Sequence, residues 1–212
     1  EDLRATLKER GLRHDWINVD AAESGRAEAL KGRLGQDLWV FAYGSLMWDP
    51  AIEYAEVRRA RVADYARRFI LLDVYGARGD AQSPGLMAAL DLGPECEGLA
   101  FRIPAEVVEE ETRQLWTRER PAPAYVETFL KAETAQGAID VLAFVADLTA
   151  ELSEPDLTQD QQATYLATGS GFLGTSYEYI KNLADQFEVI GIKDPDMIAL
   201  LAAAQNKRKD LS

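Results

Sequence analysis

Histidine and cysteine are almost absent from this chain. Among its 212 residues there is one histidine, His14, and one cysteine, Cys96. A conventional zinc site draws on several such ligands, and a Ser-His-Asp triad needs a histidine beside its nucleophile, so we predict neither. One cysteine excludes an intrachain disulfide, and we interpret Cys96 as a small structural residue because no histidine stands near it in the sequence.

Long apolar runs and net positive charge are missing as well. No window reaches the roughly 18 apolar residues that a bilayer span requires, so we expect no membrane insertion. The N-terminal residues show no secretory pattern, and a cytoplasmic location is therefore the expectation. The formal net charge is −13, from 23 basic and 36 acidic side chains. A field of this sign repels nucleic acid, so any anionic ligand must be received by local cations or backbone amides.

The rest of the composition is typical of one globular domain. Apolar residues make up 47% and charged residues 28% of the chain, and the length allows a substantial core. Residues 1–36 are charged and carry two short helical patterns, around 3–10 and 21–34, so we interpret them as a peripheral helical extension. The main domain is predicted over 37–205, and a tail is predicted over 206–212.

Strand patterns follow one another from residue 39 onward. Four segments qualify, bounded by glycine and proline: 39–43, 61–74, 85–92 and 97–103. The segment 61–74 is long enough for two strands or one bent strand. Because no helical pattern lies between them, we predict antiparallel pairing. A helix is then predicted over 105–120, since it is rich in glutamate and lies between Pro104 and Pro121.

The second half of the chain adds two strands and then becomes helical. The strands are predicted at 124–133 and 138–146, and the helices at 160–168, 175–189 and 195–205. This order predicts an α+β fold. We expect a small, mostly antiparallel β-barrel of about six strands with flanking helices, and a helical C-terminal third.

The most informative stretch is Leu38–Pro50, which runs from a strand into a turn. Trp39–Tyr43 is β-favouring and apolar, and Gly44-Ser45 break the strand. A glycine at this place opens backbone conformations that are closed to other residues and lets a ligand approach, so that successive N–H groups converge on an anion. By itself, a strand followed by glycine favours an ordinary core strand and turn over a binding loop.

Glu119 is the candidate acid of the predicted helix 105–120. At 100° per residue it shares one face with three residues of core type: Val108, Thr112 and Leu115. It also lies in the last turn, where the helix dipole disfavours a negative charge. Burial there raises a carboxyl pKa toward neutrality, which suits a group that accepts and returns a proton. The alternative is a frayed helix end, with Glu119 paired to Arg118 or Arg120 in solvent.

Other charged residues compete for a functional role. Glu97 at a strand end and Glu178 in a C-terminal helix are further acids, although either is also typical of a solvated surface. Arg78, in a glycine-flanked loop, is placed to meet an anionic substrate, or else is solvated. The segment Gly169–Gly174 lacks the Lys-Ser/Thr that follows a phosphate-binding loop, so no nucleotide site is predicted.

Several segments, in this order and at these spacings, resemble the ChaC-type γ-glutamylcyclotransferases. They are Val40–Trp48, Arg67–Phe69, Gly85–Leu90, Glu97–Ile103, Arg118-Glu119 with Tyr125, and Glu178-Tyr179. The resemblance covers about residues 38–201 and excludes 1–36. Two features depart from the family pattern: Ala42 stands where the family usually has glycine, and Pro121-Ala122-Pro123 replaces a more glycine-like spacer. The second departure leaves the substrate range open.

The resemblance implies a γ-glutamylcyclotransferase-like barrel that converts glutathione to 5-oxoproline and Cys-Gly without metal or cofactor. It implies that Glu119 is the proton acceptor. It also implies a substrate-binding loop, here called the cradle, which consists of Val40, Phe41, Ala42, Tyr43, Gly44, Ser45 and Leu46. We also assign Tyr125 and Tyr179 to the predicted substrate site, because they lie in matching segments. Arg78 is assigned to it because of its position in the loop.

Two alternatives remain at this level. One is a cyclotransferase of the same fold that acts on another γ-glutamyl amino acid or amine. The other is a non-catalytic protein that senses a metabolite or regulates transport. In the enzymatic case the partner is a small molecule, with no nucleic acid and no membrane insertion, and the protein is a monomer or weak dimer.

Overall fold

The structure is a computed structural model that describes residues 8–9, 17–119 and 124–211. Its described elements are α1 (Val19–Ala29), β1 (Leu38–Ala42), a 3-10 helix (Ser45–Met47), β2 (Glu56–Tyr75), β3 (Asp80–Ile103), α2 (Val108–Glu119), β4 (Tyr125–Thr134), β5 (Gly137–Ala146), α3 (Gln159–Thr168), β6 (Ser170–Gly171), β7 (Gly174–Thr175), α4 (Ser176–Ile190) and α5 (Pro195–Asp210). The predicted α+β class is confirmed. Of the helix predicted around 3–10 only residues 8–9 are described, and both are helical. The lone His14 lies outside the described residues.

Contacts divide the described residues into two compact units. The first comprises those within 1–67 and 90–147, and the second those within 68–89 and 148–212. The boundaries therefore fall inside the long strands β2 and β3. The domain boundaries predicted at residues 37 and 206 stay predictions.

The first unit contains the strand pairs that set the register of a closed barrel. Its strand order is β1-β3-β2-β4-β5. β1 runs antiparallel to β3, with Leu38 opposite Ile103. It runs parallel to β5, with Val40 opposite Leu142, and this pair closes the barrel. The described barrel is thus mixed but mostly antiparallel, as predicted. It has five strands rather than about six, because two strand predictions belong to one strand.

That strand is β3, which runs for 24 residues through both segments predicted at 85–92 and 97–103. The glycine-proline pair between them does not end the strand. A Cβ atom on Gly93 would lie 2.3 Å from the Cβ of Ala66 on β2. Gly93 therefore permits a close approach of two backbones rather than a turn.

The core of the first unit is filled by small residues and a few aromatic rings. Its fully or nearly fully buried cluster consists of Phe41, Tyr43, Ala60, Val62, Leu90, Cys96, Ala100, Ala132, Val141 and Ala143. A barrel of few strands has a narrow interior, and alternating small and large side chains fill it. Cys96 is 3% exposed and belongs to this core, which agrees with the structural role predicted for it.

Gly98 on β3 lies against the end of β1. A Cβ atom there would come within 2.2 Å of the Ala42 carbonyl oxygen and 2.9 Å of the Phe41 Cζ. We expect Gly98→Ala to lower the free energy of unfolding by about 2 kcal/mol, because strand and ring must move apart. Urea unfolding measures this change.

Gly25→Ala is the matched control for that substitution. Gly25 lies within α1, and its added Cβ would meet the Glu127 Oε1 at an ordinary 3.5 Å. Alanine favours a helix over glycine by up to about 1 kcal/mol, so this variant is expected to be more stable. A Gly98→Ala protein as stable as the wild type would show that β1 and β3 are not in this close contact.

The second unit joins the ends of β2 and β3 to the C-terminal helices. Leu72 donates its amide to the Leu152 carbonyl at 2.9 Å, and Glu154 donates to Ile70 at 2.8 Å. β6 and β7, which have two residues each, form a hairpin in the glycine-rich segment that follows α3. The helix predicted at 195–205 runs to Asp210 because no helix breaker follows Gln205 and three basic residues in its last turn suit the helix dipole.

Within the described residues, none of the helices has the length and apolar character to cross a membrane.

Candidate active site

The end of β1 leads directly into the turn of the cradle. Gly44 caps the 3-10 helix with φ −126° and ψ −135°, and its carbonyl accepts from the Met47 amide at 3.0 Å. This φ lies outside the left-handed region.

The cradle presents unused backbone donors at this turn. No described residue accepts a hydrogen bond from the amides of Gly44, Ser45 or Leu46, whereas the next two amides, of Met47 and Trp48, are bonded back into the turn. We call these three N–H groups the cradle amides. Consecutive amides of this kind suit an anion or a polarised carbonyl oxygen.

The remaining cradle residues build the strand behind the turn. Val40, Phe41 and Ala42 are fully buried, and Tyr43 is nearly so. Their side chains therefore support the turn, and a substrate contact from the first three would use main-chain atoms. The Tyr43 hydroxyl donates to the Phe144 carbonyl at 2.5 Å, which joins β1 to β5.

Arg67 holds the same strand end in place. Its Nε donates to the Tyr43 carbonyl and its Nη2 donates to the Glu97 carbonyl, both at 2.6 Å. One guanidinium thus ties the start of the turn to β3. Sequence reasoning did not assign Arg67 to the site, although it lies in one of the matching segments.

Glu119 is the last residue of α2, and its side chain is 15% exposed. The helix begins and continues with buried Val108, Thr112 and Leu115 on the same face, as the periodicity predicted. Burial raises the pKa of the Glu119 carboxyl, and the Arg118 charge lowers it in part. Glu119 does pair with Arg118, but largely out of solvent rather than in it.

Arg118 links this carboxyl to the cradle. Its Nη2 donates to the Ser45 hydroxyl at 3.0 Å, and its Nη1 donates to the Asp49 carbonyl at 2.6 Å. Its Nε lies 3.3 Å from the Glu119 Oε1. The end of α2 and the turn after β1 are therefore connected through one side chain.

Aromatic residues surround Phe144 of β5 on this side of the first unit. The buried Trp116 of α2 packs edge-on against Phe144, with ring centroids 5.2 Å apart, and its Nε1 donates to Glu127 at 2.9 Å. Tyr125, the first residue of β4, packs against Phe144 at 6.3 Å. The predicted residues Tyr43 and Tyr125 thus share one neighbour.

The two competing acids have structural partners. Both Glu97 oxygens accept from Arg59, at 2.8 and 3.0 Å. Glu178 caps α4, and the backbone hydrogen bond from Thr175 lowers the pKa of its carboxyl. Neither shares the burial that raises the pKa of Glu119.

Arg78 and Tyr179 lie in the second unit, where they contact each other. The Arg78 guanidinium lies 5.9 Å from the centre of the Tyr179 ring. Tyr179 is buried and packs edge-on against Phe69. Asp73 holds the loop of Arg78 by accepting from the amides of Arg78 and Gly79, and burial raises the pKa of that carboxyl.

Within the described ranges, no group of three or more histidine, cysteine, aspartate or glutamate side chains could hold a metal ion.

The sequence profile of the ChaC-like proteins matches residues 38–207. This chain belongs to the ChaC-like family. A relative from Escherichia coli K12, named glutathione-specific γ-glutamylcyclotransferase, is 33% identical over 169 residues, which are 79% of this chain and 73% of that protein. The human glutathione-specific γ-glutamylcyclotransferase 1 is 31% identical over 166 residues, covering 76% of this chain and 74% of its own length.

A solved structure of the same class confirms the fold of this ChaC-like chain. The crystal structure of a yeast γ-glutamylcyclotransferase specific to glutathione superposes with a TM-score of 0.75 and 21% identity. The match covers 82% of this chain and 97% of the yeast chain. The γ-glutamylcyclotransferase-like barrel inferred from the sequence motifs is therefore the fold of this protein.

Sequence reasoning missed Arg118 as a site component in this ChaC-like chain. It entered only as a solvent partner of Glu119. Its partners Ser45 and Asp49 lie 73 and 69 residues earlier in the chain, and no local pattern reports such contacts. The one available signal was its place beside Glu119 in a matching segment.

Proposed function

We propose that this ChaC-like protein is a lyase that cyclises the γ-glutamyl group of glutathione and releases 5-oxoproline and Cys-Gly. One observation carries the proposal: the largely buried Glu119 carboxyl is joined through Arg118 to a turn whose three cradle amides have no acceptor among the described residues. The names of the Escherichia coli and human relatives supply the substrate.

The reaction needs proton transfer more than it needs a nucleophile from the protein. The α-amine of the glutamyl group attacks its own γ-carbonyl, so an N–C bond forms and the amide bond to cysteine breaks. An α-amine has a pKa of about 8 and is mostly protonated at neutral pH. In the proposed mechanism Glu119 takes one proton from the ammonium before attack and gives it to the departing nitrogen of Cys-Gly. Glu119 then accepts the second proton that the attacking nitrogen loses as the lactam forms, and this proton leaves on the amine of Cys-Gly.

The raised pKa of Glu119 suits both halves of this exchange. A solvated carboxylate is a weak base toward an ammonium group. Burial raises the pKa of the Glu119 carboxyl and so narrows its difference from the pKa of the substrate α-amine. Because attack is intramolecular, folding the glutamyl chain against the cradle supplies the remaining requirement, which is proximity.

Two anions in the reaction suit the cradle amides of Gly44, Ser45 and Leu46. One is the α-carboxylate of the substrate, and the other is the oxyanion that develops on the γ-carbonyl. The backbone of Val40–Tyr43 and the ring of Tyr125 complete the proposed substrate site. Substrate contacts by Arg78 and Tyr179 stay predictions, as do a cytoplasmic location and a monomeric or weakly dimeric state.

Product analysis tests the proposal. The purified protein is incubated with glutathione, with γ-glutamyl amino acids and with γ-glutamyl amines, and 5-oxoproline is measured by mass spectrometry. We expect 5-oxoproline and Cys-Gly in equal amounts from glutathione. A faster reaction with another γ-glutamyl compound would correct the substrate, and no 5-oxoproline from any of them would contradict the enzyme function.

The same assay tests the two residues of the second unit. Arg78→Gln and Tyr179→Phe are expected to raise KM for glutathione. A KM equal to the wild type in both variants would remove them from the substrate site.

A further inference from the structure

We propose that Arg118 is a positioning residue of the cyclisation, which holds the Glu119 carboxyl at a set place relative to the cradle. This inference rests on the proposed function. Arg118 is not assigned a contact with substrate. Its role follows from its three protein partners, which belong to α2 and to the turn after β1.

The geometry of the guanidinium is central to this role. Nη2 donates to the Ser45 hydroxyl and Nη1 donates to the Asp49 carbonyl, while Nε lies 3.3 Å from the Glu119 Oε1 in an ion pair. The guanidinium is rigid and planar, so fixing its two terminal nitrogens on the turn fixes where its charge stands beside Glu119. A lysine ammonium is a single point on a flexible stem and cannot hold all three partners together.

The contacts of Arg118 with Ser45, Asp49 and Glu119 are here called the bridge. The position of Arg118 on the helix makes this bridge unusual. Residues i and i+1 do not face each other on a helix, so an ion pair between Arg118 and Glu119 is not the ordinary spacing of three or four residues. The guanidinium reaches the carboxyl while its two terminal nitrogens hold the turn. The Arg118 side chain is 27% exposed, so solvent partly screens its ion pair with Glu119. This screening does not change the positions of the guanidinium nitrogens.

Misplacement of a reacting group by about 1 Å is enough to slow catalysis by about a hundredfold. Ser45 carries one of the cradle amides, and Arg118 binds its side chain. The distance from the base to the bound glutamyl group therefore depends on this bridge. Its loss is expected to lower kcat more than it raises KM.

The second consequence of the bridge is that the charge of Arg118 affects the pKa of Glu119. In the described surroundings of Glu119, Arg118 from α2 supplies the charge that lowers the pKa of the carboxyl against the larger effect of burial. Asp49, from the turn, faces the same guanidinium, with its Oδ2 3.5 Å from Nη1. Removing the guanidinium leaves burial unopposed, so the pKa of Glu119 is expected to rise further.

Arg118→Gln and Arg118→Lys test these two consequences separately. We expect Arg118→Gln to lower kcat for glutathione by roughly 10- to 100-fold with little change in KM. The acid limb of its kcat/KM profile is expected to move to higher pH. Arg118→Lys keeps the charge and is expected to restore the position of the limb but not the rate.

Arg113→Gln is the matched control on the same helix. Arg113 pairs with Glu109 and Glu110 on the exposed face of α2. Its variant is expected to show wild-type kcat and an unmoved pH profile. Circular dichroism checks folding, and the lysine variant carries the kinetic test if the glutamine variant does not fold.

A double variant separates failure of this inference from failure of the proposed function. If Arg118 acts through Glu119, adding Arg118→Gln to Glu119→Gln produces no further loss of rate. Two outcomes overturn the inference but leave the proposed function standing. One is that the rate losses of the two substitutions are fully additive in the double variant. The other is that Arg118→Gln keeps the wild-type kcat and pH profile while Glu119→Gln is inactive. An active Glu119→Gln enzyme overturns the proposed role of Glu119 and the inference with it.

Discussion

Glu119→Gln is expected to fold normally and to lose glutathione cyclisation by about a thousandfold, the middle of the range for a general acid-base residue. Glutamine keeps the shape of the side chain but cannot accept the proton of the α-amine. The measurement is the initial rate of 5-oxoproline release from glutathione. Retention of at least about a tenth of the wild-type rate would exclude Glu119 as the base.

Glu110→Gln is the matched control for this variant. Glu110 lies on the exposed face of the same helix, 3.5 Å from Arg113. Such surface pairs contribute little, so its loss is expected to leave both rate and stability unchanged. A loss of activity in this control would indicate damage to α2 rather than removal of a base.

The pH dependence of stability gives a second, rate-independent measurement on Glu119→Gln. Burial raises the pKa of Glu119 in the folded protein, so the folded state retains a proton that the unfolded chain releases. Stability is therefore lost as pH rises from the ordinary glutamate value, about 4, through the raised folded value. Glutamine does not titrate and is expected to escape this loss.

Urea unfolding across that pH window compares the two proteins. We expect the free energy of unfolding of Glu119→Gln to exceed that of the wild type by an amount that grows with pH until the folded carboxyl is ionised. A variant that becomes relatively less stable as pH rises would mean that Glu119 is stabilised as an anion.

Replacement of Gly44 by larger residues is the second prediction with a large effect. A leucine side chain at Gly44 is expected to occupy the cradle and to raise the Kd for glutathione by about a hundredfold, or about 2.8 kcal/mol of binding free energy. The φ of −126° does not lie in the left-handed region, so the turn does not demand glycine for its φ.

A graded series makes this prediction specific. Gly44→Ala, Gly44→Val and Gly44→Leu are expected to weaken glutathione binding in order of side-chain volume. Calorimetric titration in a Glu119→Gln background measures the Kd without turnover, and thermal unfolding checks the fold of each variant. Equal affinity across the series would mean that the turn is only structural.

Local patterns predicted much of α2 and little of the barrel closure. The buried face of α2 follows from a period of 3.6 residues, which is why Glu119 was found beside Leu115 before any contact was known. The interruption predicted between 92 and 97 was wrong, because a close approach of β3 to Ala66 uses the same glycine that a turn would use. The parallel closure of β1 on β5 has no local signal.

The sequence by itself determined the order of strands and helices, the inward face of α2, the lack of ligands for a conventional zinc site and the family to which the motifs belong. These properties depend on residues that are close along the chain. Tertiary structure alone decided which amides of the turn have no acceptor among the described residues, how far the Glu119 carboxyl leaves solvent, and that Arg118 reaches Ser45 and Asp49. Burial and hydrogen-bond partners at these places come from segments tens of residues apart, and they exist only once the chain has folded.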